Sequence, residues 1–169
     1  NNVFKGKSFF SGFNWPKELI KLDIKKVLLL IPDNMKRFEA LKTCAEYGFE
    51  LVSAIHPSVE IMNQALIEPG VWINSRAFIG YKAEIKSGTL INTRAIVEHH
   101  NILNYCCQLD PAVVTAGNVT IGECAHIHMG ALIANRKNVG ADAIVGAGAV
   151  VLSDVPPNFT VAGVPAKAI

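Results

Sequence analysis

From Ile61 onward the chain carries an aliphatic residue at every sixth position: Ile61, Ile67, Ile73, Ile79, Ile85, Ile91, Val97, Leu103, Leu109, Thr115, Ile121, Ile127, Ile133, Val139, Val145 and Val151. Fifteen of these sixteen residues are aliphatic, Thr115 is the exception, and no insertion breaks the count. Four residues after each stands a small one. It is Ala at 65, 77, 83, 95, 125, 131, 143 and 149 and Val at 71, 113, 119 and 155; Thr89 and Cys107 also fit, while Asn101 and Lys137 do not. An amphipathic helix needs apolar residues at i+3, i+4 and i+7, so a period of six is not helical. It is the period of a parallel β-helix, in which each hexad gives one short strand and one corner and three hexads close a triangular coil. Counting the aliphatic residue as position one, it fills the prism, and the small residue at position five sits where a larger side chain would clash. Sixteen hexads make about five coils. Glycines at position two (Gly80, Gly122, Gly140, Gly146) are expected at corners that need unusual backbone angles.

Residues 1–55 show no hexads. "KKVLLLIP" at 25–32 reads as a buried strand and "FELVSAI" at 49–55 as another. Between them, residues 33–48 read as a helix capped by Asp33 or Asn34 and stopped by Gly48, with Phe38, Leu41, Ala45 and Cys44 on its apolar face. The chain therefore divides into a small α/β unit (1–55), a β-helix (56–155) and a C-terminal tail (156–169), and is mainly β.

Composition narrows the function. Half of the chain is apolar and 18% is charged, as in a globular protein, and a net charge of +2 gives no footprint for nucleic acid. Residues 1–55 hold nine Lys/Arg against six Asp/Glu, a mild bias toward an anionic ligand. No apolar run approaches the ~20 residues of a membrane helix, no signal peptide is visible, and the absence of Met at the start points to a missing N-terminal segment. Cys44, Cys106, Cys107 and Cys124 form no CxxC pair, so they read as reduced, packed thiols and the protein as cytoplasmic.

The unbroken hexads and the terminal "VAGVPAK" resemble the left-handed β-helix of the hexapeptide-repeat acyltransferases. A strand–helix–strand unit before the prism and the junction "AIHPS" at 54–58 are similar to a narrower group within them: bacterial N-acetyltransferases of nucleotide-linked amino sugars and the related sialic acid O-acetyltransferases. That resemblance implies a Rossmann-like N-terminal domain, a homotrimer with active sites between subunits, and acetyl-CoA as cosubstrate, with no metal, no nucleic acid and no membrane insertion. It puts the nucleotide-linked sugar near "IPDN" at 31–34, and so near Asp33 and Asn34. The Gly-rich loop with which the group opens is missing here, and "NNVFKGKSFFSGFNWP" corresponds to the segment after its second strand, as in a truncated domain.

"NTRAIVEHH" at 92–100 matches the motif in which the histidine after the glutamate is the general base, which makes His99 the base. Imidazole, with an ordinary pKa near ~6.5, suits proton removal from an acceptor held against an activated thioester. One coil further, 18 residues on, lies Gly117, which leaves room beside His99 and offers a backbone N–H to the thioester oxygen. Close relatives often carry a carboxylate after the base; here His100 stands in its place, leaving Glu98 or a residue of a neighbouring subunit to orient His99. Relatives often carry a second histidine where this chain has Gln108. The resemblance thus implies His99, Glu98 and His100 as the catalytic group and Asn92, Gly117, Gln108 and Lys167 as cosubstrate contacts. Arg136 and Lys137 are further candidates for the CoA phosphates. His126 and His128 alternate on one strand and read as exposed or interface histidines before a metal site. A carbonic anhydrase of the γ type would need a pair of histidines five residues apart, and 99, 100, 126 and 128 contain none. An ice-binding prism would need ranks of outward Thr, also lacking. Amine and hydroxyl acceptors stay open, with the α/β unit and "VEHH" favouring the amine.

Overall fold

The structure is a computed structural model that describes residues 2–4, 7–9 and 14–169. Its body is a parallel β-solenoid of three sheets. From Ala54 to Val151 each strand pairs in parallel with the strand 18 residues away, so that one inward column runs Ile73, Ile91, Leu109, Ile127 and Val145. Each face is designated by one of its residues. The Trp72 face runs from Ala54–Ile55 through Trp72–Ile73, Leu90–Ile91, Gln108–Leu109, His126–Ile127 and Ile144–Val145 to Thr160–Ala162 and Lys167–Ala168. The Phe78 face holds six strands, from Glu60–Ile61 to Val150–Val151, and the Glu84 face five, from Leu66–Ile67 to Asn138–Val139. The solenoid makes about six turns rather than the expected five, because pairing starts at Ala54–Ile55, before the counted hexads, and continues to Thr160–Ala162, after them.

Position one fills the prism. Ile79, Ile85, Ile91, Val97, Leu103, Leu109, Ile121, Ile127 and Val145 are fully buried, and the position-five Ala and Val residues close the same core. Each buried aliphatic side chain contributes about 1.5–3 kcal/mol, and the rigid stack fixes every outward side chain against its counterpart one coil away.

The corners differ from expectation. The left-handed backbone falls at position four, on Arg76, Lys82, Arg94, His100, Cys106, Asn118 and Cys124 among others, and not on the position-two glycines. Those glycines serve close approach instead. A Cβ on Gly80 would lie 2.6 Å from the Glu98 carbonyl carbon, and on Gly122 or Gly140 it would run into backbone of the next coil.

Among the described residues the N-terminal part is smaller than a Rossmann-like domain. Helix α1 (Trp15–Lys21) precedes helix α2 (Asn34–Tyr47), and a two-stranded parallel sheet joins Lys26–Val27 to Glu50–Leu51. The expected strand 49–55 is split, its second half having become the first strand of the Trp72 face. Residues 1, 5, 6 and 10–13, part of the stretch matched to the segment after a second strand, lie outside the described residues. Asp33 caps α2 by accepting from the Lys36 N–H at 2.8 Å, and Gly48 ends it with φ 70°. The buried face of α2 is Arg37, Ala40 and Cys44, rotated from the expected stripe, and Ala45 is exposed. The rotation follows from what α2 packs on. Arg37, 2% exposed, donates from Nε to the Gly88 carbonyl (2.7 Å) and from its terminal nitrogens to the carbonyls of Cys106 (2.9 Å) and Ile31 (2.6 Å) and to Asn34 Oδ1 (2.7 Å). Gly88, Cys106 and Cys124 are stacked position-four residues of the corner between the Glu84 and Trp72 faces, so α2 lies along that corner.

All four cysteines are free and buried. Burial pushes the thiols of Cys44 and Cys106 up to about 11 and those of Cys107 and Cys124 up to about 12, so they pack as neutral, unreactive groups.

Candidate active site

Glu98, His99 and His100 form the corner between strand Ile96–Val97 of the Phe78 face and strand Ile102–Leu103 of the Glu84 face. Three contacts hold it. The His100 N–H donates to the Tyr81 carbonyl of the coil before (2.9 Å), the His99 carbonyl accepts from the Asn118 N–H of the coil after (2.9 Å), and Asn101 points into the core. There two of the exceptions to the hexad rule, Asn101 and Thr115, meet. Asn101 Nδ2 donates to Thr115 Oγ1 at 2.7 Å, Asn101 Oδ1 accepts from the Val119 N–H at 2.6 Å, and Thr115 Oγ1 donates to the Ile96 carbonyl at 3.2 Å. Buried polar groups are tolerated when paired in this way.

His99 is exposed, and its imidazole lies over Gly117, where an added Cβ would overlap the ring. Its Nδ1 is 3.0 Å from Nδ1 of His100, and the two rings meet edge to face. The left-handed backbone at His100 (φ 57°) turns that ring back toward His99, and the Tyr81 ring meets it edge to face with centroids 5.5 Å apart. Among the described residues Glu98 makes no side-chain hydrogen bond to either imidazole. Within one chain the group that reaches His99 is therefore His100 and not Glu98. One proton is shared between the two Nδ1 atoms, and where His99 Nδ1 carries it His99 Nε2 is the unprotonated nitrogen.

The other sequence-selected residues lie elsewhere. Asn92 and Gln108 are on the Trp72 face, across the prism from the His99 corner. They join a polar ladder in which Trp72 Nε1 donates to Asn74 Oδ1 (3.1 Å), Asn74 Nδ2 to Asn92 Oδ1 (2.9 Å), and Asn92 Nδ2 to Asp110 Oδ1 (3.3 Å). Gln108 Nε2 donates to the same Asp110 oxygen (2.8 Å), while Asp110 Oδ2 faces His126 Nε2 (3.0 Å) and His128 Nδ1 (3.2 Å). Sequence reasoning passed over Asp110, although 92, 110 and 128 step by one coil length. Burial acts to raise the Asp110 carboxyl, but the Gln108 hydrogen bond and the pairing with His126 outweigh it and hold the carboxyl below its usual range. Burial, only partly offset by Asp110, holds His126 below the ordinary histidine value.

Lys167 is exposed on the terminal strand of the Trp72 face, paired opposite Ala162. Asp33 is exposed on the loop leading into α2. Asn34 is committed to docking, since its Nδ2 donates to the Cys124 carbonyl (3.1 Å) and its Oδ1 accepts from Arg37. No described helix is long and apolar enough to cross a membrane.

No family model matches the sequence. Solved structures do. PerB from Caulobacter crescentus, in complex with CoA and GDP-perosamine, shares 35% identity over 91% of this chain and 74% of its own, with a TM-score of 0.88. A variant of the GDP-perosamine N-acetyltransferase from the same organism, also with CoA and GDP-perosamine, shares 34% over 91% and 73%, again at 0.88. The acetyltransferase domain of PglB from Neisseria gonorrhoeae, in complex with acetyl coenzyme A, shares 32% over 85% and 70%, at 0.83.

Proposed function

Because the chain belongs to the hexapeptide-repeat acetyltransferase family, we propose that it moves acetyl from acetyl-CoA to the amino group of a nucleotide-linked amino sugar, with His99 as general base. The observation that carries this reading is the His99–His100 pair set over Gly117. In this reading His99 Nδ1 donates to His100 Nδ1, 3.0 Å away, which makes Nε2 of His99 the basic nitrogen. An amine held there loses its proton to Nε2 as its nitrogen attacks the thioester carbon. Such a base contributes about 10²–10⁴-fold. Position three carries proline at 69 and 111 because its N–H has no place in the coil ladder, so the Gly117 N–H is available for the charge that develops on the thioester oxygen. The carbon–sulfur bond then breaks and CoA leaves as the thiol, taking the proton back from His99 Nε2.

The proposed cosubstrate contacts Asn92, Gln108 and Lys167 face away from the His99 of their own chain. One pocket can hold all of them only where the His99 corner of one copy meets the Trp72 face of another, which supports a homotrimer with shared sites. The nucleotide is placed at the loop into α2, with Asp33 as its contact and Asn34 holding the loop in place. Acetyl-CoA and buried, neutral thiols both fit a cytoplasmic location.

The test is thiol release from acetyl-CoA with a panel of GDP-, UDP- and dTDP-linked amino sugars, GDP-perosamine first, with His99→Ala beside the wild type. Turnover of a panel member that His99→Ala abolishes supports the assignment. Near-full turnover by His99→Ala would overturn it.

A further inference from the structure

Asp110, His126 and His128 form a cluster to which acetyl transfer gives no task. The solenoid register builds it. His128 occupies position two one coil above Asp110, and His126 precedes it on the same strand and the same side. Their donor atoms, Asp110 Oδ2, His126 Nε2 and His128 Nδ1, lie within 4.8 Å of one another.

Four features suit this cluster to a cation. Around a tetrahedral ion with ligands at about 2.0–2.2 Å, donor atoms sit roughly 3.3 Å apart, and the two imidazole nitrogens already lie 3.0 and 3.2 Å from the carboxylate oxygen. The other carboxylate oxygen is tied back by Gln108 and Asn92, as outer hydrogen bonds fix a ligating carboxylate. The three side chains are 14–38% exposed, so an ion can enter and retain an open position. Finally, Gln108, whose amide nitrogen bonds Asp110, has its Oε1 buried without a hydrogen-bond partner, a polar atom left for a further ligand.

We propose that Asp110 Oδ2, His126 Nε2 and His128 Nδ1 bind one divalent transition-metal ion, with an open coordination position on the Trp72 face. Two imidazoles and a carboxylate favour zinc over magnesium or calcium. Burial holds His126 neutral and the hydrogen bonds hold Asp110 ionised, the protonation states that ligation requires. This departs from the expectation of no metal; it is carried by the cluster's geometry and not by the His99 chemistry, although Gln108 and Asn92, which hold Asp110, are also proposed as cosubstrate contacts.

The experiment is metal analysis of the full chain after equilibration with zinc at buffered micromolar free concentration and gel filtration. It uses wild type, His126→Ala, His128→Ala and His99→Ala, with circular dichroism to check the fold. About one zinc per chain in wild type and His99→Ala, lost in the other two, is the expected result. No retained zinc in wild type, equal retention in His126→Ala and His128→Ala, or loss in His99→Ala overturns the proposal. Cobalt(II) added to wild type gives a reading free of any folding defect in the variants. Intense visible absorption of low-symmetry cobalt is expected, and a spectrum of the aquo ion alone contradicts the site. Thiol release in the same preparations reports on His99 separately.

Discussion

Asn101 Nδ2 donates to Thr115 Oγ1 at 2.7 Å inside a column of aliphatic side chains, so the repeat's two buried polar exceptions satisfy each other. Asn101 is two residues beyond His99, and this bond anchors the corner that carries the base. Replacing one partner strands the other. Thr115→Val keeps the shape but leaves the Asn101 amide short of an acceptor, at a cost of about 1–3 kcal/mol in urea unfolding. Position five accepts Val at 71, 113 and 119, so Asn101→Val combined with Thr115→Val should lose less than the two single changes summed. Additive losses would show that the pair does not act as one.

Gly117 is the second fixed point of the corner. Its φ is not left-handed, so alanine is acceptable to the backbone, yet an added Cβ meets the His99 ring. Gly117→Ala should therefore turn the imidazole and lower kcat by roughly 10²-fold, with a melting temperature close to wild type. A variant that melts early, or one that keeps full kcat, removes Gly117 from the site.

His100 reaches His99 at the position where the family resemblance implies a carboxylate. An imidazole fixes a tautomer without adding negative charge, whereas a carboxylate there stabilises the protonated base. His100→Glu should therefore raise the acid limb of the kcat/KM profile to higher pH, and His100→Ala should lower kcat without that shift. Identical profiles for the three proteins would mean that His100 merely lies beside His99.

The solenoid was legible because its register is written directly into the chain: a period of six is a geometric statement about strands and corners. Outward contacts one coil apart were legible by the same step, which is why Gly117 could be paired with His99. The step also links Asn92, Asp110 and His128, but that signal shows only when polar residues are tracked at position two, and Asp110 was passed over. Arg37 had no such signal. Its burial depends on where α2 lies on a corner, and no local pattern encodes that. The position-two glycines were misread because sequence shows that a side chain is missing, while the cause, backbone of the next coil, is a tertiary contact.

Among the described residues Arg37 forms no salt bridge, and it is held by carbonyl oxygens from three segments, at Ile31, Gly88 and Cys106. Burial lowers its pKa from the ordinary arginine value, and the carbonyl set keeps it seated. Arg37→Met removes those donors and leaves the Gly88 and Cys106 carbonyls unpaired. Hydrogen bonds to charged groups are worth about 1.5–3 kcal/mol each, so the variant should lose at least that much in stability. Hydrogen exchange should localise the loss to α2, leaving the solenoid protected. Uniform loss of protection would mean that α2 and the prism unfold as one unit.

The histidine–aspartate cluster gives the fold an acid sensitivity whose sign can be worked out. His126 titrates below its ordinary value in the folded state, chiefly through burial, so the unfolded chain binds the proton first as pH falls. Its contribution is fully present above the ordinary histidine value near ~6.5 and is lost between there and the lower folded value. Asp110, also held below its ordinary value, contributes above the usual aspartate range near ~3.9 and loses that contribution as pH falls further. Both act in one direction, in successive windows. With a chelator present to exclude metal ions, the melting temperature should fall on acidification through the first window, and His126→Gln should flatten that fall and also reduce the drop at lower pH, since Asp110 then keeps only its Gln108 and His128 contacts. A wild-type slope unchanged by His126→Gln would show that other groups carry the acid sensitivity.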